Sequence, residues 1–354
     1  MRLGLMKNKI KSLEDISWKV SEKEYREDKA LSYSTLSRFK REGFNGLERL
    51  FDPISSPSLT FGSMVDVLMT GNIDLYNKTY IAAAFPSISD SLLEVIKSLF
   101  KACWDNYKSL KDIPEETILA TINMYSYCVT MTKAKRLERV LANEEYYQLL
   151  GKTQGKTIVS IDDNNDAYNC RSKLLSSNNT KMLFQEDNPF SQVKRYYQLK
   201  FKGDYNGIPI RCMADLLYVD YESKFIIPID LKTTGKPEWD FFDSFIHWEY
   251  QIQARLYWYN IRQNLDKDPY FKDFKLLDYE FVVINRKSLT PLVWKFTETT
   301  TIGDITLGKN SQYTLLDWRS LLTELSYYIA NPVTVPIGIS KDAPNNLIEF
   351  INKT

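Results

Sequence analysis

Asp215, Asp230 and Lys232 lie within residues 209–234, PIRCMADLLYVDYESKFIIPIDLKTT. Two carboxylates and a lysine on neighbouring strands are parts from which a divalent-metal site for phosphodiester hydrolysis is built. Residues 208–220 and 225–233 are rich in Ile, Val, Leu, Tyr and Phe, and the polar cluster Tyr221-Glu222-Ser223-Lys224 separates them. That pattern predicts a β-hairpin. A turn centred between Glu222 and Ser223 places Asp215 directly opposite Asp230, with Cβ atoms roughly 4.5–5.5 Å apart.

Alternation sorts the hairpin into two faces. One carries Arg211, Met213, Asp215 and Leu217, with Ile226, Pro228, Asp230 and Lys232 across from them. The other carries Cys212, Ala214, Leu216 and Tyr218, with Phe225, Ile227, Ile229 and Leu231, and is the expected core face. Opposed carboxylates repel. A cation between them relieves the repulsion, and hard oxygen ligands favour Mg²⁺ or Mn²⁺. On this geometry Asp230→Asn is expected to raise the melting temperature of the metal-free protein. Two strand acids beside a lysine are also an ordinary solvent-facing pattern, so the hairpin alone does not choose.

Residues 243–263, DSFIHWEYQIQARLYWYNIRQ, contain no Gly or Pro and predict a helix. Gln253 and Tyr257 lie one turn apart and share a face. Three blocks now stand in order: RCMAD ending on Asp215, Asp230-Leu231-Lys232 followed by Thr233 and Thr234, and Gln253…Tyr257. In order and spacing the chain resembles the PD-(D/E)XK nucleases, specifically the RecB-like and exonuclease VIII-like branch. A lone D…DxK is a weak signal; the QxxxY pair about twenty residues later sharpens it. The resemblance extends upstream to residues 30–42, ALSYSTLSRFKRE, and 61–71, FGSMVDVLMTG.

The resemblance implies an α/β fold, with a mixed central β-sheet flanked by helices (a restriction-endonuclease-like core) and a mostly helical N-terminal portion. It implies Mg²⁺ or Mn²⁺ held by Asp215, Asp230 and the Leu231 carbonyl. Asp66 stands where relatives carry a metal-binding histidine, and an aspartate can also ligate Mg²⁺. Lys232 would position water or stabilise the transition state. Gln253 would orient water or a ligand, and Tyr257 would buttress it or touch DNA. The implied activity is a metal-dependent exonuclease on DNA ends in recombination, replication or repair, with a partner protein from those processes. The alternatives are a structure- or sequence-specific endonuclease and a non-catalytic DNA-binding or assembly protein on the same fold.

Three departures from the family pattern stand out. Asp66 points away from the apolar stripe of Phe61, Met64, Val65 and Leu68, which also fits a solvated helix aspartate. Met213-Ala214-Asp215 replaces RPD. The strand at 192–201, QVKRYYQLKF, lacks the glutamate many relatives carry there as a fourth acidic ligand.

Composition sets the frame. The chain has 354 residues, 44% hydrophobic and 14% aromatic, enough for one or two folded domains. No apolar run approaches the roughly 20 residues that span a bilayer. The start, MRLGLMKNKIKSLED, has no apolar signal core. A cytoplasmic location is expected, in the host if the gene is a phage's, as the Ile/Asn/Lys/Tyr-rich composition of an AT-rich genome would allow. The net charge of +1 requires an uneven spread for DNA binding. The candidate basic groups are Arg38, Lys40 and Arg41, then Lys133, Lys135, Arg136 and Arg139, then Lys194, Arg195, Lys200 and Lys202. Tyr125, Tyr127, Tyr196 and Tyr197 are candidates for base stacking. Each basic group also reads as a solvated face.

Cys103, Cys128, Cys170 and Cys212 stand far apart with no CxxC, against a structural zinc. Some members of the branch this chain resembles hold an iron–sulfur cluster on cysteines mostly after the catalytic core; none lies after residue 212 here, so no cluster is expected. His247 is the only histidine, so histidine-paired hydrolysis lacks its parts. It is expected to pack in its helix or approach the site. No P-loop or GxGxxG occurs, so any ATP-driven motor is another chain. The expected organisation is an arm at 1–30, a mostly helical portion at 31–185 and the nuclease core at 186–354. Within these lie loops at 52–60 and 84–91, helices at 92–111 and 115–150, and a strand at 156–161 with a helix from 163. A three-stranded meander at 190–234 follows, then strands at 279–286 and 291–298, a helix at 310–330 and a Pro-punctuated tail.

Overall fold

The computed structural model describes residues 11–54, 56–84, 88–153, 155–188, 191–296, 304–307, 311–314 and 317–331. Two compact units form: Met1–Pro53 with Ser177–Ile284 and Thr290–Thr354, and Ile54–Ser176 with Asn285–Leu289. Residues 31–53 therefore group with the sheet, where the sequence reading had placed them with the helical portion. The cause is backbone pairing. Leu31 donates its N–H to the Pro209 carbonyl at 2.9 Å and accepts from Arg211 N–H at 2.9 Å. The arm is tied in too, with Trp18 N–H on the Lys200 carbonyl at 2.7 Å and Leu13 fully buried.

The first unit is built on a mixed sheet of β1 (Val193–Tyr205), β2 (Ile208–Asp220), β3 (Phe225–Thr234), β4 (Lys275–Leu276), β5 (Tyr279–Asn285) and β6 (Leu292–Phe296). Spatial order is β1-β2-β3-β5-β6, with β4 pairing β3. The β1–β2, β2–β3 and β5–β6 pairs are antiparallel and β3–β4 is parallel. Helices α1 (Glu22–Glu27), α2 (Tyr33–Glu42), α3 (Phe241–His247), α4 (Tyr250–Asp266) and α5 (Trp318–Ala330) belong to the same unit. This is the expected α/β class with a mixed sheet and helices. A separate antiparallel pair, Asp304–Leu307 with Ser311–Thr314, takes the start of the segment expected to be helical from 310. Residues 332–354 lie outside the described ones.

Turn chemistry fixes the registers. Asn206 and Gly207 both have positive φ, 51° and 81°, the two-residue turn that matches strand twist. At the β2–β3 turn, Asp220 Oδ1 accepts from Glu222 N–H at 3.0 Å and Ser223 N–H at 2.8 Å. Lys224 closes the loop at φ 51°. That turn sets Leu216 opposite Ile229, the register the sequence predicts.

Helix α4 lies along β1 and β2. Asn260 Nδ2 donates to the Phe201 carbonyl at 3.2 Å and contacts Cys212 Sγ at 3.5 Å. Gly203 makes this approach possible: a Cβ there would sit well inside van der Waals contact of Gln263 Oε1 and Asn260 Oδ1. Asn260 is fully buried and cannot swing away freely. Gly203→Ala is expected to cost about 1–3 kcal/mol in chemical denaturation, and an unchanged midpoint would show that both side chains yield.

The second unit is described by itself. Helix Pro57–Met69 packs on helix Ile161–Ser176, beside a parallel pair of strands, Tyr80–Ala83 and Thr157–Ser160. A second cluster gathers Val95, Ile96, Leu99, Ile122, Val140 and Tyr147. Several expected boundaries shift. The loop at 52–60 ends early, because Ser56 caps Leu59 N–H at 3.2 Å and Pro57 opens the helix. The loop at 84–91 gives way to a helix at Asp90, and residues 85–87 lie outside the described ones. The helix at 92–111 stops at Cys103. The helix at 115–150 breaks into Glu115–Met124, Lys133–Leu141 and Glu144–Lys152, with Ser126 and Cys128 at positive φ between the first two. The helix at 243–263 breaks at Trp248–Glu249, where Glu249 has φ 56°.

Candidate functional site

The β2–β3 ladder runs from Asp220↔Phe225 to Leu216↔Ile229. The next step in this register is Asp215 with Asp230, where the pairing ends. Asp215 Oδ2 accepts the Leu231 N–H at 3.0 Å. Asp230 is buried at 2% exposure, and its Oδ2 lies 2.7 Å from Lys232 Nζ. Gln253 Nε2 donates to Asp230 Oδ1, while Lys232 Nζ donates to Gln253 Oε1 at 3.1 Å. Carboxylate, ammonium and amide thus form a closed triangle. The amide gives its N–H to the anion and its oxygen to the cation, so one orientation serves both.

This geometry corrects two expectations. The carboxylates are not a bare repelling pair, because Lys232 and Gln253 engage one and the Leu231 N–H engages the other. Nor is the core confined to the face expected to hold it, although Cys212, Ala214, Leu216, Ile229 and Leu231 on that face are buried. Leu217 and Ile226, on the site face, are as fully buried as Cys212 and Ala214 on the opposite one. The sheet is covered on both sides, as strands with near-continuous apolar runs require.

Burial works against the Lys232 ammonium, but the carboxylates of Asp230 and Asp215 outweigh it and raise the pKa above the ordinary lysine value. The Tyr250 ring lies 4.6 Å from Lys232 Nζ, a cation–π contact that adds to the hold. Tyr257 is buried and stands 6.4 Å from the Tyr279 ring. Burial, then the neighbouring Tyr25, Cys212, Asp230 and Asp215, push its hydroxyl well above the ordinary tyrosine range. Of the two implied roles for Tyr257, this burial fits packing behind the site rather than contact with a ligand.

Gln198 completes the constellation. It lies in β1 between the pairs Tyr197↔Leu216 and Leu199↔Ala214, and its Nε2 reaches Asp215 Oδ1 at 3.4 Å. Its φ of 54° is left-handed, a conformation costing a non-glycine residue about 1–3 kcal/mol. Sequence reasoning did not single out Gln198, because a strand glutamine carries no local signal of its own.

Asp66 belongs to the second unit, on helix Pro57–Met69, and is half-buried. Burial and then the Asp66 charge raise the Tyr80 hydroxyl pKa, so it is not simply a solvated aspartate. Its part as a ligand rests on the resemblance alone. Several basic candidates are engaged within the fold. Arg38 is buried and donates to the Arg49 carbonyl. Arg136 is buried on Asn123 Oδ1 at 3.0 Å. Arg195 pairs with Asp187 at 2.7 Å, and Lys202 with Asp28 at 2.5 Å. Lys200 donates to the Val20 carbonyl at 2.9 Å. Tyr127 is buried, and Tyr196 shares a hydroxyl contact with Tyr221 at 2.6 Å. Lys40, Arg41, Lys133, Lys135 and Tyr125 remain exposed. His247 is exposed, edge-on to Trp248.

A metal must be weighed against the donors present. No group of three or more His, Cys, Asp or Glu residues gathers into a metal site among the described residues. Mg²⁺ needs only one or two carboxylates and keeps several waters. Asp230 Oδ2 is buried without a well-formed hydrogen bond, in ion-pair contact with the Lys232 ammonium. Asp215, Asp230 and the Leu231 carbonyl are a hard-oxygen set of the kind Mg²⁺ or Mn²⁺ takes.

No protein-family model matches this sequence, and no curated protein matches it. A crystal structure named "Putative exonuclease", from Eubacterium rectale, superposes with a TM-score of 0.43 at 13% identity, covering 88% of this chain and 85% of that one. Likeness at that level leaves the fold to be argued from this chain's own sheet. No helix among the described residues is long and apolar enough to cross a membrane.

Proposed function

We propose that the protein is a metal-dependent deoxyribonuclease, an exonuclease acting on DNA ends. The observation that carries this reading is the Asp230–Lys232–Gln253 triangle beside Asp215. Three charged or polar groups converge where a strand ladder opens, and none of them is needed to make a sheet. Asp215, Asp230 and the Leu231 carbonyl would hold Mg²⁺ or Mn²⁺. The bound metal supplies an acidified water and offsets charge on the phosphate.

The residues do the rest. Lys232, held protonated, donates hydrogen bonds and positive charge to the phosphate oxygens as negative charge develops there. It does not serve as a base. Gln253 fixes Lys232 and Asp230 relative to each other, and Tyr257 packs behind Gln253's helix. Gln198 and the Leu231 N–H orient Asp215. The same reading supplies a cytoplasmic setting in recombination, replication or repair, with a protein of that machinery as partner.

The test is cleavage by the purified full chain with Mg²⁺ or Mn²⁺ on linear and circular duplex DNA. Degradation of linear DNA alone supports an exonuclease, and nicked or cut circles make it an endonuclease. If neither substrate is cut and Asp230→Ala leaves DNA binding unchanged, the chain is a binding protein on this fold. Gln253→Ala is expected to lower activity or metal affinity by about 10–100-fold, as loss of a ligand-orienting group does.

A further inference from the structure

The break between α3 and α4 presents a second recognition element beside the site. Trp248 at this break is 40% exposed, and the following residue, Glu249, takes a left-handed φ of 56°. Single exposed aromatics are ordinary, but this one is held in place. The Tyr33 hydroxyl donates to its carbonyl at 2.6 Å. The Arg41 guanidinium lies 5.3 Å from its ring centroid, and Arg41 is itself steadied by donating to Ser37 Oγ. The path to the site is short. Tyr33 and Tyr250 are 6.1 Å apart, ring to ring, and Tyr250 lies beneath Lys232 Nζ at 4.6 Å.

We propose that Trp248 and Arg41 form a stacking subsite for an unpaired base of the DNA strand whose phosphate meets Lys232. An indole offers a π-face that accepts any base. A guanidinium plane stacks on bases as well, and its charge reaches the adjacent phosphate. The pair therefore suits a single strand splayed from a duplex end, whose bases are free to stack. A fully paired duplex offers no such base. The identity of the strand rests on the nuclease reading; the stacking itself does not.

The test measures anisotropy of two labelled probes of equal length, oligo-dT and an abasic strand, in chelator without metal. Wild type is expected to prefer oligo-dT. Trp248→Ala should weaken oligo-dT binding by about 5–150-fold, the range for one lost stack, and leave the abasic strand unchanged. Trp248→Tyr should keep most of the preference, which excludes misfolding as the cause. Trp239→Ala, at another exposed tryptophan (63%), should change neither probe. Equal binding of the two probes by wild type, or a preference that survives Trp248→Ala, overturns the subsite. The nuclease reading fails separately, by absence of metal-dependent cleavage while the base preference stands.

Discussion

Replacing Asp230 with alanine should destabilise the metal-free protein by about 3–5 kcal/mol, the cost of stranding one partner of a buried ion pair. The 2.7 Å contact joins side chains that are 3% and 21% exposed. Without Asp230, the buried Lys232 ammonium keeps the Tyr250 ring and the Gln253 oxygen but loses its ion-pair partner. The double variant Asp230→Ala/Lys232→Met should regain most of the loss, because the stranded charge is gone. Urea unfolding in chelator measures both. Asp230→Asn, which keeps the shape but removes the charge, should lower the melting temperature. That reverses the sequence-based expectation, which took repulsion between Asp215 and Asp230 to dominate. A rise would restore the repulsion account. The pH dependence has a definite sign. The folded pKa of Lys232 is raised above its ordinary 10.5, so its contribution is complete below that value and declines only as pH climbs through the folded one. The wild-type stability supplied by Lys232 should therefore stay flat from about pH 6 to 9.

Lys232→Met should lower kcat by about 10²–10³-fold, the usual cost of removing one donor aimed at developing charge. The Mg²⁺ concentration for half-activity should move much less, since Lys232 repels rather than binds the cation. Lys232→Arg should not restore the rate. The guanidinium fork demands planar geometry, and the site offers a single amide oxygen and one carboxylate edge. Rates must be referred to folded protein, because the variant leaves Asp230 short of its cation. A Lys232→Met enzyme with an unchanged rate would remove the lysine from the chemistry and reduce it to a structural counter-ion.

The hairpin register was legible because it depends on local features: four polar turn residues and strict alternation on either side. Gln253 and Tyr257 were legible for the same reason, as one helical turn places them on one face. The part of Gln198 was not legible, since its contact with Asp215 comes with a left-handed backbone in a strand 17 residues away in sequence. Nor was the fate of the basic groups. Arg38, Arg136 and Arg195 read as surface charge, and each finds an acceptor through tertiary packing that no local pattern encodes. The break at Trp248–Glu249 is hidden too, because nothing in the sequence there is a helix breaker. The grouping of residues 31–53 with the sheet requires the contact of Leu31 with β2, far beyond any window a sequence pattern can see.

That contact has a consequence for the way the protein is made. Arg211 Nε donates to the Ala30 carbonyl across 181 residues of sequence. At a synthesis rate of about 5–20 residues per second, roughly 10–35 seconds pass between the emergence of one partner and the other. During that interval Leu31, Leu36 and Phe39, all destined for the core, have no sheet to cover them. The newborn chain therefore carries an unfinished apolar face through a large part of its translation, and its yield in a cell should depend on holdase chaperones more than its finished stability suggests.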